Sequence, residues 1–143
     1  MRSMKTNLDI EPQPSGQLTL QTIALPKDTN ENGDIFGGWL VSQMDTACAM
    51  TATLIAKGRV VTVSMDSMNF LIPVKTGNII SFYTKVDQIG RSSIQIQTEV
   101  WISSPEEQQK QKVTDGRFVF VALDEQGNTR TIAASQKALK AYS

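Results

Sequence analysis

Apolar and polar positions alternate along this chain in a way that marks out one helical and several extended segments. Residues Gly16 to Leu25 (GQLTLQTIAL) alternate with period two, the spacing of a half-buried strand, and Pro26 ends the run. The next stretch, PKDTNENGDIFGG, is dense in Asp, Asn and Gly. Such residues tolerate left-handed backbone or bond to their own main chain, so an ordered turn is predicted. From Gly37 to Lys57 the sequence GGWLVSQMDTACAMTATLIAK is apolar or small at almost every position. Its length and its Ala, Met and Leu content predict a helix of roughly five turns, with Gly58 as the stop just past its end. A helix that is apolar nearly all round is expected to be buried nearly all round.

After Gly58 the period-two pattern returns and persists. It predicts strands over Arg59 to Phe70, Asn78 to Ile89, Ser92 to Ser103 and Lys112 to Asp124. Pro73 and Gly77 bracket one turn, Gly90-Arg91 makes a tight hairpin, and EQGN makes another turn. In the first of these strands Val61, Val63 and Met65 are expected on one face, with Thr62, Ser64 and Asp66 on the other. In the third, Ile94, Ile96, Val100 and Ile102 face the helix, while Ser93, Gln95, Gln97 and Glu99 face water. SSPEEQQKQK reads as a solvated loop. Residues 1–15 read as a flexible leader, 16–132 as a single domain, and 133–143 as a tail ending in a short helical ALKAY segment.

The order is therefore strand, long helix, then four antiparallel strands, an α+β class. One helix cannot cover both sides of a five-stranded sheet, and several strands keep apolar groups on their second face. Self-association is expected.

Composition narrows the chemistry. The 14 Lys and Arg balance the 14 Asp and Glu, so nothing draws the chain toward nucleic acid or an anionic membrane, and a phosphate-bearing ligand would need local groups. No apolar run approaches the length of a membrane span, and the first sixteen residues hold no apolar signal core. The one cysteine, Cys48, lies in the helical segment without an intrachain partner, which suits a reducing cytoplasm. Histidine is absent. Ser-His-Asp and Cys-His catalysis, histidine zinc sites and histidine-driven dehydration all go with it. Neither metal nor cofactor is expected, and carboxylates and backbone amides are left as the chemical groups.

One carboxylate stands out. Asp45 lies two turns into the apolar helix among Val41, Met44, Cys48 and Ala49. An ionised carboxylate in such surroundings costs several kcal/mol, roughly, unless it is paired, bonded or facing a cleft. At helical spacing Ser42, Cys48, Ala49 and Ala52 are all small, leaving room beside it for a ligand. Eight residues earlier, Gly37 and Gly38 open the helix, where free N–H groups and the positive dipole end suit an anion or a developing oxyanion. Cys48, one turn beyond Asp45, is a competing nucleophile for which no base is available.

The string DTNENGDIFGGW (Asp28 to Trp39) followed by SQMD (Ser42 to Asp45) resembles the YciA-like bacterial acyl-CoA thioesterases, relatives of the animal cytosolic acyl-CoA hydrolases. So do GRVVTV with MNF between Gly58 and Phe70, PVKTG at Pro73, GRSSI at Gly90 and VW at Val100. The likeness spans about residues 18–132. It implies the hotdog fold, a long helix wrapped by an antiparallel sheet, and hydrolysis of acyl-CoA at an interface between two subunits. It implies a catalytic carboxylate at Asp45, loop polar groups at Asn30 and Asp34, and oxyanion-binding amides near Gly37 and Gly38. CoA contacts would fall on Thr62, Val63 and Ser64 and on the Arg91-Ser92-Ser93 turn. A hexamer built as a trimer of dimers is implied as well. Thr46-Ala47-Cys48 departs from the small-residue pair many relatives carry, a difference that bears on acyl-chain preference. Asp45 could serve as general base toward water or attack the carbonyl itself, and both routes stay open. The alternative from another class is a hotdog module that binds acyl-CoA without cleaving it and has no need of Asp45.

Overall fold

The computed structural model describes residues 12–66 and 69–133. Along them run β1 (Gln17–Ile23), one 3₁₀ turn (Pro26–Asp28), α1 (Gly37–Ala56), β2 (Val60–Asp66), β3 (Ile79–Ile89), β4 (Ser93–Ser104) and β5 (Glu107–Ala122). Every strand pairing is antiparallel, and the sheet order is β1-β3-β4-β5-β2. α1 lies across one face of the sheet. Met44, Ala47, Cys48, Ala52 and Ile55 of the helix pack against Ile80, Phe82, Ile94, Ile96, Val100, Phe118 and Phe120. The β4 alternation read from the sequence is the one observed. No helix among the described residues is long and apolar enough to cross a membrane. The leader up to residue 11 and the ALKAY segment lie outside the described residues.

Four expectations need correction. The helix stops on Lys57, whose φ of 53° makes it the left-handed residue in place of Gly58. Gly58 instead leaves room for Arg130: a Cβ there would lie 2.9 Å from Arg130 Nη2 and the side chain would have to shift. That guanidinium donates to Ala56 O at 2.7 Å and to Leu123 O at 2.9 Å, fastening the helix end to the end of β5. Such a cation also offsets the negative end of the helix dipole.

The second correction concerns SSPEEQQKQK. Most of it is strand, because β4 continues to Ser104 and β5 starts at Glu107, with Ser104 opposite Glu107. Its side chains are polar on both faces and carry no period-two signal, so pairing with β4 sets the strand.

Third, a bulge at Val63 breaks the alternation of β2. Thr62 sits opposite Phe120, Ser64 opposite Val119, and Met65 opposite Phe118. Since Phe118 and Phe120 are core residues, Thr62 is turned to the helix side, where strict alternation had grouped it with Ser64 and Asp66.

Fourth, the helix is buried on one side only. Met50 and Leu54 stay exposed at 44% and 59%. Val61, Val63 and Met65 on β2, an edge strand of the sheet, are exposed as well.

Candidate active site

Asp45 lies on the border between the buried and open sides of α1. It is half-buried, less enclosed than its apolar neighbours in sequence suggest, because Cys48 and Ala52 turn into the core while the Ala49 side opens outward. Thr62 Oγ1 donates a 2.7 Å hydrogen bond to Asp45 Oδ1. Pairing with β5 makes this contact possible, since it sets Thr62 opposite Phe120 on the helix side. The second carboxylate oxygen has no partner among the described residues. From Asp45 an open, largely apolar groove of about 510 Å³ follows the helix past Ala49, Met50, Thr53 and Leu54. Residues 45, 49 and 53 and residues 46, 50 and 54 form adjacent i, i+4 ladders, which is why they line one channel. This arrangement can hold an acyl chain in the groove with its carbonyl at the carboxylate.

At the start of α1 the cap is Phe36, in extended backbone (φ −64°, ψ 136°) and without a side-chain cap. Trp39 N and Leu40 N both donate to Phe36 O, at 3.1 and 3.2 Å. Gly37 N and Gly38 N have no acceptor among the described residues, and both glycines are exposed. Two free N–H groups therefore point out of the positive end of the helix.

The preceding loop is ordered, as its composition predicts. Asn30 Oδ1 accepts from Asn32 N at 2.9 Å and Asp34 N at 3.1 Å, so that oxygen is committed to the turn and only the amide NH₂ remains open. Asp34 forms an ion pair with Lys75. A paired carboxylate is a weaker candidate for catalysis than Asp45.

Thr62, expected by resemblance to touch CoA, gives its hydroxyl hydrogen to Asp45, and its oxygen is left able to accept. Val63 and Ser64 are exposed. The Arg91 turn is anchored by its backbone: Gly90 N reaches Ser93 O, while Ser92 O and Arg91 O accept from Ala122 N and Ile132 N. The Arg91 side chain is left to solvent, with Ser92 and Ser93 half-buried beside it.

Burial pushes the Cys48 thiol up to about 12; the Asp45 carboxylate adds to the rise and the Thr98 hydroxyl opposes it. The thiolate that nucleophilic attack requires is therefore scarce at neutral pH. Cys48→Ala is expected to keep near-parental activity, and iodoacetamide at pH 8 to label Cys48 only in denaturant. The neutral thiol stabilises the fold below pH 9, and that contribution is lost as the pH rises from about 9 toward 12. Complete inactivation by the Ala substitution would restore Cys48 as the nucleophile.

Residues 32–108, which include the helix start, Asp45 and the Arg91 turn, match the family model described as the thioesterase superfamily. The chain belongs to the thioesterase superfamily. It is 46% identical to the acyl-CoA thioester hydrolase YciA of Escherichia coli K12 over 122 residues, 83% of this chain and 92% of the relative. A hexameric thioesterase of Yersinia pestis superposes with a TM-score of 0.81 at 47% identity, over 85% of this chain and 99% of that one. A hexameric hotdog fold thioesterase of Campylobacter jejuni gives 0.82 at 38%, over 87% and 96%. The α+β arrangement of one helix on a five-stranded antiparallel sheet is thus the hotdog fold.

Proposed function

We propose that this protein hydrolyses acyl-CoA to free acid and CoA, at a site that two copies of the chain complete together. The observation that carries this reading is the Asp45 carboxylate, held through one oxygen by Thr62 and standing at the head of an apolar groove. In the reaction an oxygen nucleophile adds to the thioester carbonyl and the C–S bond breaks, releasing CoA as thiol. Asp45 either takes the proton from attacking water or attacks to form an anhydride that water then opens.

The free amides of Gly37 and Gly38 are the natural oxyanion donors. Along the helix, however, Gly38 and Asp45 are seven residues apart, about 10 Å at a rise of 1.5 Å per residue. Donors must lie about 3 Å from the oxyanion, and the attacking oxygen within about 3.5 Å of the same carbonyl carbon. A single helix holds the two groups far apart for one carbonyl. Asp45 of one copy and the helix start of another are free of that spacing, and the exposed Met50 and Leu54 along the Asp45 groove give the copies apolar surface to share. The hexamers of the relatives support the same association. Our reading is a hexamer arranged as a trimer of dimers, acting in the cytoplasm on acyl-CoA, with Asn30 beside the oxyanion and the Arg91-Ser92-Ser93 turn near the CoA nucleotide.

Thiol release measured across acyl-CoA chain lengths, with the mass taken by light scattering, tests reaction and assembly together. Turnover by a hexamer is the expected result. Acyl-CoA that binds at every chain length without thiol release would make the protein a binding module, and full activity in a monomer would rule out the shared site.

A further inference from the structure

A second cavity of about 510 Å³ lies at the opposite end of the helix from the amides. Lys57, Arg59 and Arg130 stand around it, together with Leu123, Asp124 and Glu125. From Asp45 to Lys57 is twelve residues, about 18 Å along the helix. Whatever binds there is remote from Asp45 of the same chain, and the Arg91 turn is not part of its wall.

The charges of this cavity are not consumed by the fold. Arg130 fastens the helix end through Ala56 O and Leu123 O, and its one positive charge exceeds the roughly half charge of the helix carbonyl end. Neither Lys57 nor Arg59 has a carboxylate partner among the described residues. Asp124 is turned into its own hairpin, where one oxygen accepts from Gln126 N at 3.0 Å and Asn128 N at 2.8 Å. Glu125 is exposed and is the one acidic group left at the rim without such bonds. Arg59 reaches over the β5 turn, its Nη1 lying 3.9 Å from where a Gly127 Cβ would be. Lys57, Arg59 and Arg130 against Asp124 and Glu125 leave the wall of this cavity positive by one charge (three minus two) in a chain of zero net charge, which favours an anion there.

We propose that this cavity binds a phosphate group, gripped by the forked donors of Arg59 with Lys57 as a second charge. The inference rests on the acyl-CoA reading for one of two phosphate sources: the phosphates of CoA itself, or a free nucleotide. Uniform binding far from the carbonyl acts on KM and leaves the chemical barrier alone.

The test uses the full chain with Arg59→Ala, Arg59→Lys and Lys57→Asn; Asn tolerates the left-handed backbone at 57 while removing the charge. KM is measured for butyryl-CoA and for butyryl-pantetheine, which has no phosphate. Binding of adenosine 3′,5′-bisphosphate and of ATP is measured by calorimetry. If CoA supplies the phosphate, Arg59→Ala raises KM for butyryl-CoA about three- to tenfold with KM for the pantetheine thioester unmoved. Arg59→Lys then recovers part of the loss, and added salt narrows the gap. If a free nucleotide is the ligand, KM for butyryl-CoA stays put and the variants lose ATP binding. Variants that alter neither KM nor the binding of either nucleotide overturn the site. Should the parent protein release no thiol, the hydrolase reading fails by itself, and the calorimetric comparison still decides the cavity.

Discussion

Asp45→Asn is expected to lower kcat for acyl-CoA by on the order of 10²–10⁴-fold, the usual contribution of a positioned acid or base. The substitution keeps the shape of the side chain and an oxygen that can accept from Thr62 Oγ1, so the β2 contact to the helix survives. What it removes is the charge and the basic second oxygen, which has no other partner among the described residues. Because Asp45 is half-buried, its loss should shift stability by about 1 kcal/mol or less. Thiol release should collapse while the melting temperature and the binding of CoA hold. A purified variant that turns over acyl-CoA at a near-parental rate would show that the carboxylate is not the reacting group.

Deleting the amide donor at the helix start should cost nearly as much. Gly37→Pro removes the N–H, whereas Gly37→Ala keeps it, and the local backbone accepts both. Proline is favoured at the first helical position, and the residue before it must be extended, as Phe36 already is at ψ 136°. A Cβ at 37 would meet Phe70 Cζ at 3.7 Å, an ordinary contact. Gly37→Pro is expected to lose about 10²–10³-fold in kcat, and Gly37→Ala very little. The pair also tests sharing between copies. Inactive Asp45→Asn chains, unfolded and refolded together with inactive Gly37→Pro chains, should regain activity, because some mixed sites then receive an intact carboxylate from one chain and an intact amide from the other. Equal loss in the Pro and Ala variants would remove Gly37 from the oxyanion role. Failure of mixed assemblies to recover would return both groups to one chain.

The order of elements was legible because each is announced locally. Period two marks the strands, the long run of Ala, Met and Leu marks α1, and Pro26, Pro73 and Gly77 punctuate them. Asp45 was legible for a similar reason, as the one charge inside an apolar helix. The double glycine and the Asn and Asp turn before it likewise carry their geometry in their own residue types. The features left to the tertiary structure depend on groups far apart in sequence. Thr62 reaches Asp45 across 17 residues because pairing with β5 sets it opposite Phe120, on the helix side. Arg130 closes the helix end from 74 residues away, and the left-handed residue there is Lys57, with Arg130 packed over Gly58. The start of β5 at Glu107 is set by its partner β4, since its polar side chains have no phase of their own. The sequence alone decided which residues can do chemistry, since charge and side-chain size belong to each residue. Packing decided which side of α1 stays open and which oxygen of Asp45 is left free, because those depend on what the sheet covers.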